Sequence, residues 1–347
     1  MKYNPFQITV LIICCMLCFT SCGSASVYEP EADEGVEMSF DVVSESRAMT
    51  TIIDEFSVYG DMKFPTDVVD PIVIFNKTSV VNRDGVWCYD GTQYWFPKHE
   101  HSFVAVSPSS ALDEEATSQY SGSKLSFAYT MPTYSDKEMN GTQDKSDIVD
   151  IVAATHRRLY RDGDKAGAIS LRFGHLLSMI NFAPKLDDQS LKDNDYIQFQ
   201  KLEISGLKKK AQIEVTPAPL LGNPQTDDFM IEFTGHEGND KLTIVFNDPK
   251  IVYNGKRINL FADNDAIIML PQLFDVSSEA TVRFTYSFKD DPETQLEGTI
   301  SLSGQEWKSA NVYTYNFTMD KIGLNLEKAI INEWDSKTIP TIGWKVE

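Results

Sequence analysis

Cysteine is scarce in this chain outside its N-terminal segment. Four of the five cysteines fall within the first 22 residues, at Cys14, Cys15, Cys18 and Cys22, and only Cys88 lies beyond them. Once that segment is removed or modified, Cys88 has no partner for an intramolecular disulfide. The sequence therefore excludes a small secreted domain held together by disulfide bonds. The strand-like surroundings of Cys88 favour a buried, inert thiol over a nucleophile.

Positive charge is also scarce. The 347 residues carry 31 basic and 51 acidic side chains, which gives a formal net charge of −20. Nucleic-acid binding and adsorption to anionic lipid both need basic side chains on the surface, so neither is expected. A composition of 42% hydrophobic and 11% aromatic residues is nevertheless typical of a folded chain, not of an acidic disordered one.

Helical periodicity is scarce as well. The best helical candidates are Asp147–Tyr160 and a short piece around His175–Met179. The sequence shows neither a glycine-rich phosphate loop nor a regular alternation of strands and helices. Doubly wound and barrel enzymes are therefore not expected.

Short strand-like runs are what the chain has instead. Turn residues such as Asp84-Gly85 and Asn254-Gly255 separate these runs. The runs include 36–43, 52–59, 72–75, 102–106, 169–173, 241–246 and 281–288. Many strands at this spacing predict antiparallel β-sandwiches. Two halves are expected, 48–185 and 186–347, because the polar stretch 185–195 is the best candidate linker.

The first 21 residues are typical of an export signal. Lys2 precedes an apolar run from Phe6 to Phe19, which is shorter than the roughly 20 residues that a membrane-spanning helix needs. The segment Thr20-Ser21-Cys22-Gly23 resembles a bacterial lipoprotein box, in which Cys22 is acylated and becomes the first mature residue. The alternative is an ordinary signal peptide cut nearby, which would leave Cys22 free.

An acidic tether and a strand occupy residues 22–47. Residues 23–35 are rich in Gly, Ser, Ala, Pro and Glu, a composition typical of flexible linkers. Within Val36–Val43, the apolar residues Met38, Phe40 and Val42 alternate with polar ones. This alternation predicts a strand with one apolar face.

Several blocks of the sequence carry a family likeness. In chain order they are Val36–Phe40 with Ser46–Ala48, Gly85–Tyr89 with Tyr94–Pro97, Phe103–Pro108, Asp150–Ala154 with Ile169–Phe182, Ile267–Gln272, and Trp307–Phe317 with Trp334. Together these blocks resemble the fimbrillin-like proteins of Bacteroidales, the subunits of type V pili. The likeness extends over essentially the whole chain after the signal.

The resemblance implies two tandem β-sandwich domains of the transthyretin-like type. It implies a structural pilus subunit that supports cell adhesion and is neither an enzyme nor a cofactor-binding protein. The precursor would be a lipoprotein held at the outer membrane, and the mature protein would lie at the cell surface in a fimbrium. The implied partners are other pilus subunits, in a homo- or hetero-polymer, and an arginine-specific, trypsin-like protease.

The cleavage site that the resemblance implies lies between Arg47 and Ala48. The segment 44–51 contains no proline and lies between two strand-like runs, as an accessible protease site requires. Cutting there would release the lipid anchor at Cys22 together with the first strand. The groove left behind could accept a strand from another subunit by β-augmentation.

The C-terminal tail, 337–347, is the best donor candidate. Its insertable side chains are Ile339, Ile342, Trp344 and Val346. Pro340 fits the entry of a strand, because it cannot donate to a sheet ladder. The alternative is that the tail completes the sheet of its own domain.

No metal site is expected. His99-Glu100-His101 resembles half of a zinc site, but no third ligand is evident nearby, and a solvated loop is favoured.

A second function stays open. A surface lipoprotein of the same architecture could bind a glycan or a host ligand without polymerising, and it would keep its acyl anchor and expose aromatic side chains. An enzyme is the third class, and it would need a concave site with convergent titratable groups.

Overall fold

The computed structural model of the protein describes residues 35–43, 53–64, 70–112, 118–131, 150–161, 164–165, 167–261, 266–327 and 329–334. Contacts divide the chain into two units, Met1–Val36 and Glu37–Glu347. Every contact reported below lies within the second unit. The described residues form strands, turns and one 3₁₀ turn at Ser109–Leu112, which confirms the mostly β fold. None of them belongs to a helix long and apolar enough to cross a membrane.

The described strands are numbered here in chain order. They are β1 (Phe40–Val42), β2 (Glu55–Lys63), β3 (Ile72–Arg83), β4 (Val86–Tyr89), β5 (Glu100–Ser107), β6 (Gln119–Ser121), β7 (Lys124–Thr130), β8 (Val152–Leu159), β9 (Ile169–Leu171), β10 (Gly174–His175), β11 (Ser178–Leu186), β12 (Tyr196–Leu207), β13 (Lys210–Pro217), β14 (Gln225–Thr226), β15 (Phe229–Glu237), β16 (Asp240–Tyr253), β17 (Ile267–Met269), β18 (Gln272–Leu273), β19 (Thr281–Phe288), β20 (Asp291–Ser301), β21 (Glu306–Trp307), β22 (Asn311–Met319), β23 (Leu324–Leu326) and β24 (Ile330–Glu333).

A seven-stranded sheet, called the central sheet below, has the order β10-β8-β5-β2-β3-β4, with β14 also paired to β8. Its pairings are all antiparallel. Successive side chains of a strand point to opposite faces. On β5, Val104 and Val106 therefore pack into one core, while Phe103 and Ala105 pack into another. Both faces of the central sheet are therefore buried at β5.

Two different covers bury these faces. The four-stranded sheet β15-β13-β7-β6 covers one face and contributes Phe127 and Ile213 to the core there. The parallel pair of β1 and β9 contributes Phe40 and Ile169 to the core on the other face. The central sheet and its four-stranded partner make up the first sandwich.

The second sandwich packs the sheet β17-β11-β22-β23, to which β24 also belongs through β22, against the sheet β16-β12-β19-β20. Its core is aromatic. The ring of Phe284 lies 5.4 Å from that of Phe182, 5.6 Å from that of Phe199 and 4.8 Å from that of Phe317. A two-stranded ribbon of β18 and β21 adds Trp307, whose indole N–H donates to Tyr315 Oη at 2.8 Å.

Sheet pairing crosses the position where the sequence divides the chain. Strands β13 and β15 follow residue 185, yet they share a sheet with β7 of the N-terminal half. Strand β14 likewise pairs with β8. The first sandwich thus takes strands from both sides of that position, and the boundaries 48–185 and 186–347 stay a prediction.

The two helical candidates are wrong where they are described. Strand β8 occupies most of Asp147–Tyr160, and β10 and β11 take up His175–Met179. Ile151, Val152, Ala153 and Ala154 are all buried because the central sheet is covered on both faces. A strand buried on both faces shows no polar alternation, so its sequence cannot be told from that of a short buried helix.

Local turn and strand signals are confirmed. Asp84 and Gly85 both have positive φ, 53° and 86°, and they join β3 to β4 in a two-residue hairpin, as such a dipeptide favours. Strand β19 has the bounds 281–288 that the sequence predicts.

Substituting Gly206 is expected to destabilise the second sandwich. Gly206 has a φ of +77° at a register shift in the pairing of β12 with β16, and a Cβ there would lie 2.8 Å from the Cα of Ala280. Positive φ costs about 1–2 kcal/mol in a non-glycine residue, and overpacking adds about 1–3 kcal/mol. We expect Gly206→Ala to lower the free energy of unfolding by about 3 kcal/mol in urea titrations.

Gly255→Ala is the matched control. Gly255 has a φ of +74°, but a Cβ there would meet no atom within 4 Å. The free energy of unfolding of Gly255→Ala should therefore fall only by the cost of positive φ, about 1–2 kcal/mol. Equal losses for the two variants would contradict the close contact with Ala280.

Candidate functional site

The first strand, β1, lies in a groove between two backbone segments. On one side it pairs in parallel with β9, in the register Phe40↔Ile169, Asp41↔Ser170 and Val42↔Leu171. The Ile169 N–H donates to the carbonyl oxygen of Ser39 at 2.7 Å, and the Val43 N–H donates to that of Leu171 at 3.0 Å. These bonds hold β1 by its main chain.

On its other side, β1 meets the loop after β4. The Met38 N–H donates to the carbonyl oxygen of Gln93 at 2.7 Å, and Glu37 forms an antiparallel bridge with Tyr94. Tyr89 Oη donates to the carbonyl oxygen of Met38 at 2.9 Å and accepts from the Gln93 N–H at 3.3 Å. Burial raises the pKa of Tyr89, so the phenol keeps the proton that it donates.

The apolar side chains of β1 fill the groove. Met38 is 1% exposed and Phe40 is 6% exposed. The Phe40 ring lies 5.7 Å from that of Phe56, 5.5 Å from that of Phe75 and 5.6 Å from that of Tyr89, each in an edge-on arrangement, the geometry that aromatic pairs favour. We call this site, lined by these three rings, β9 and Gln93, the first-strand groove.

An empty first-strand groove would be unfavourable. Burial of a Met or Phe side chain contributes about 1.5–3 kcal/mol, and each backbone hydrogen bond contributes about 0.5–1.5 kcal/mol. Withdrawing β1 would expose the Phe56, Phe75 and Tyr89 rings and leave the Ile169 N–H without its acceptor. The groove can therefore bind an extended strand in which apolar side chains alternate with polar ones.

The site residues predicted from the sequence lie outside the described residues. These are Cys22, Arg47, Ala48, Ile339, Ile342, Trp344 and Val346, so their roles stay predictions. The predicted strand 36–43 is described: Met38, Phe40 and Val42 face the core as expected. The sequence did not indicate its neighbours, because Tyr89, Gln93 and β9 are distant along the chain.

Trp334 is the last described residue before the predicted donor tail, 337–347. Its indole stacks on the imidazole of His175 with the ring centroids 4.0 Å apart and the planes 4° from parallel. The Trp334 N–H donates to the carbonyl oxygen of Ala310 at 2.8 Å. His175 Nδ1 in turn lies 2.5 Å from Asp150 Oδ2. These contacts hold residue 334 against the junction of the two sandwiches.

The histidines of His99-Glu100-His101 lie in the protein interior, not in a solvated loop. His99 is 7% exposed and His101 is fully buried. The Phe96 N–H donates to His101 Nε2 at 3.4 Å, and the Trp95 ring lies 5.0 Å from the imidazole. Within the described ranges, no three His, Cys, Asp or Glu side chains come together as a metal site.

Comparison with protein families gives one match. Residues 46–334 match the model of a family described as fimbrillin-like. A comparison with curated proteins finds no match.

Comparison with solved structures gives similar folds at low sequence identity. A fimbrial protein from Bacteroides vulgatus is 14% identical with a TM-score of 0.57, and the alignment covers 86% of this chain and 99% of that one. A putative cell adhesion protein from Bacteroides uniformis is 16% identical, with a TM-score of 0.45 and coverages of 86% and 99%. A fimbrial assembly protein from Parabacteroides distasonis is 9% identical, with a TM-score of 0.39 and coverages of 86% and 96%. The first of these likenesses shows the fold.

Removing the Phe40 ring is expected to destabilise the uncut chain. Phe40→Ala would leave the space between Phe56, Phe75 and Tyr89 unfilled, and buried Phe→Ala changes cost about 3–5 kcal/mol. We expect urea titrations to show that the free energy of unfolding falls by about 3 kcal/mol. We also expect faster amide hydrogen exchange at Ile169. The control Asp41→Ala changes an exposed neighbour and should stay within about 0.5 kcal/mol of the parent. Equal losses of stability in the two variants would contradict the packing of Phe40 in the first-strand groove.

His101 is expected to make the fold sensitive to acid. Burial lowers its pKa to about 3, and the nearby charge of His99 acts in the same direction. The unfolded chain takes up this proton below about pH 6.5, whereas the folded chain does not. The contribution of His101 to stability is thus fully present above pH 6.5. It is lost as the pH falls towards 3, by about 1 kcal/mol per pH unit.

The measurement compares urea midpoints from pH 7.5 to pH 4.5. His101→Gln keeps an acceptor for the Phe96 N–H but has no proton to take up. Its stability should therefore fall less steeply with acid than that of the parent. Parallel curves would show that His101 does not contribute.

Proposed function

The chain belongs to the fimbrillin-like family, and from this premise we propose that it is a type V pilus subunit that polymerises by strand exchange. It is made as a lipoprotein precursor acylated at Cys22 and cleaved between Arg47 and Ala48 by an arginine-specific protease. The family and the fold that the chain shares with a fimbrial protein support a pilus-subunit or adhesion role at the cell surface. The protein is structural and not an enzyme.

One observation carries the proposal: β1 fills a groove whose partners belong to the remainder of the chain. The segment with Arg47 lies between Val43, just after β1, and Ile53, just before β2. A cut after Arg47 separates β1 from β2 in the covalent chain and leaves Phe56, Phe75, Tyr89 and β9 behind. The groove then opens without loss of any other described strand.

The same cut removes the membrane anchor. Cys22 lies upstream of Arg47, so its acyl chains leave with the released segment. Each buried CH₂ of an acyl chain contributes about 0.8 kcal/mol to membrane binding, and a formal net charge of −20 disfavours adsorption to anionic lipid in its place. One cleavage thus frees the subunit from the outer membrane and opens its groove.

The polymer that results is directional. The groove is on the first sandwich, and the candidate donor, 337–347, follows the second sandwich. A contact between two different surfaces is heterologous and builds open filaments instead of closed dimers. Main-chain hydrogen bonds give such a contact affinity, and the alternation of side chains sets its register.

Arg47→Ala is the test of this function. We expect the variant to keep its N-terminal segment and its lipid, to stay in the outer-membrane fraction and to form no filaments. N-terminal sequencing of surface-purified protein and electron microscopy measure these outcomes. The parent should begin at Ala48.

Arg47→Lys is the matched control, because it keeps the charge but removes the arginine that the protease requires. It should behave as Arg47→Ala does. Filaments of normal length from either variant would contradict the proposal. A parent protein blocked at Cys22 would instead favour the lipoprotein that binds a glycan or host ligand and does not polymerise.

A further inference from the structure

Four buried ring nitrogens lie at one end of the face that carries the first-strand groove. They are Trp95 Nε1, His99 Nε2, His101 Nδ1 and His156 Nε2, and none has a hydrogen-bond partner among the described residues. All four residues are more than nine-tenths buried. Buried polar atoms are nearly always paired, so a group of exceptions calls for a physical reason. We call His99, His101 and His156 the histidine cluster.

The histidine cluster adjoins the core beneath β1. Trp95 and Phe103 belong to the same core as Met38. The Trp95 ring lies 5.0 Å from that of His101, and His156 on β8 is the direct partner of Phe103 on β5. A change in the cluster therefore acts close to the groove.

A second proton on His101 would break a backbone contact. Its Nε2 accepts from the Phe96 N–H at 3.4 Å, so the proton of the neutral ring lies on Nδ1. A second proton can bind only at Nε2, where it removes the acceptor of the Phe96 N–H. The charged ring would also lie beneath the Trp95 ring, away from water, where an unpaired charge is unfavourable.

One short segment, 93–98, connects His101 to the groove. Near its start, the carbonyl oxygen of Gln93 accepts from the Met38 N–H at 2.7 Å. Three residues later, Phe96 donates to His101. Movement of this segment away from β5 would therefore break the contacts of β1 and of His101 together.

The closed position of segment 93–98 carries strain. Lys98, at its end, has a φ of +66°, in the left-handed region that residues other than glycine disfavour. The Trp95 ring packs against His101, and the N–H groups of both rings are buried without partners among the described residues. Lifting the segment would give both N–H groups water to bond to. These features favour a local opening of the segment over that of its neighbours in the sheet.

We propose that the histidine cluster is an acid-operated latch on the first-strand groove. A proton on His101 breaks the bond to Phe96, segment 93–98 lifts, and the Met38 N–H loses the carbonyl oxygen of Gln93. Acid thus loosens β1 while the central sheet stays folded. This inference rests on the proposed function, because it adds the condition under which the groove releases its strand.

The groups around His101 oppose its protonation while the latch is closed. Burial lowers its pKa to about 3, and three neighbouring positive charges act in the same direction, those of His99, Arg158 and His156. The residue opposite His101 on β2 is the apolar Met62. The nearby carboxylates have other partners, since Asp227 Oδ1 lies 2.7 Å from His156 Nδ1 and Asp164 pairs with Arg158. Proton uptake by His101 therefore accompanies opening.

Linkage sets the size of the effect. Once the segment lifts, water reaches the ring of His101, and its pKa returns to about 6.5. Below this pH, each pH unit favours the open state by a factor of about 10, until the closed ring also takes up the proton near pH 3. The opening constant should therefore rise about 100-fold from pH 7.5 to pH 4.5.

Amide hydrogen exchange on the uncut chain tests the latch. The rates at Met38 and Phe96 are measured from pH 7.5 to pH 4.5 and corrected for the pH dependence of the chemical exchange step. Both opening constants should rise about 100-fold. The rise should not depend on low concentrations of urea, because a local opening exposes little surface.

The Leu202 amide, on β12 in the second sandwich, reports global unfolding in the same experiment. It should exchange far more slowly than Met38, and its rate should increase with urea. If Met38 responds to acid only together with Leu202 and with the same urea dependence, the chain unfolds globally and the latch is overturned.

His101→Gln identifies the group that takes up the proton. Glutamine keeps an acceptor for the Phe96 N–H but does not titrate, so the opening constant at Met38 should change by no more than a few-fold over this pH range. The matched control is His236→Gln, which changes a histidine outside the cluster that lies 2.8 Å from the carbonyl oxygen of Pro271. It should keep the full acid response.

A full acid response in His101→Gln, or its loss in His236→Gln, overturns the assignment to His101. If His101→Gln does not fold, the pH and urea dependence of the parent decides alone whether the opening is local.

The outcomes separate this inference from the proposed function. Hydrogen exchange is measured on the uncut chain, so it requires neither cleavage nor filaments. A local acid response at Met38 in a protein that never forms filaments supports the latch and contradicts strand exchange. Filaments from a parent whose Met38 exchange does not respond to acid overturn the latch and leave strand exchange in place.

Discussion

Phe103 and Val104 are neighbours on β5, yet they pack into different cores. The central sheet therefore carries apolar side chains on both faces, and each face needs a cover, because exposed apolar surface costs about 25 cal/mol per Å². One cover is a complete four-stranded sheet, whereas the other includes the single pair β1 and β9. This asymmetry makes β1 the element whose removal changes one surface without dismantling the sandwich.

The way β1 is held suits exchange. Its main chain forms hydrogen bonds with β9 and Gln93, and Tyr89 donates to the carbonyl oxygen of Met38. Because these bonds involve only its main chain, they do not depend on the side chains of the bound strand. The Phe40 side chain packs among three aromatic rings, so this position of the groove favours an aromatic side chain. The main-chain hydrogen bonds thus supply affinity for an extended strand, and the aromatic pocket supplies a preference at one position. A contact that is repeated between subunits needs both.

The sequence predicted the local parts of this fold and missed the distant ones. The alternation of Met38, Phe40 and Val42 and the Asp84-Gly85 turn are properties of adjacent residues, and both are confirmed. The partner of β1 is β9, well over a hundred residues away, and β13 joins β7 across the predicted division of the chain. Such pairings depend on how whole sheets pack. The sequence of Asp147–Tyr160 also fits a helix, because burial of β8 on both faces removes the strand alternation.

Covalent connection explains why an uncut chain would not exchange its strand. A strand tethered next to its own groove has an effective concentration in the mM range for a short flexible linker, and a tail from another copy must exceed this to compete. On the proposed mechanism, cleavage after Arg47 would remove the tether, so β1 would then compete only at its free concentration. On the proposed mechanism, tail and strand bind the same rings and the same backbone groups. The cut therefore shifts the equilibrium through effective concentration alone, and no rearrangement of the central sheet is needed.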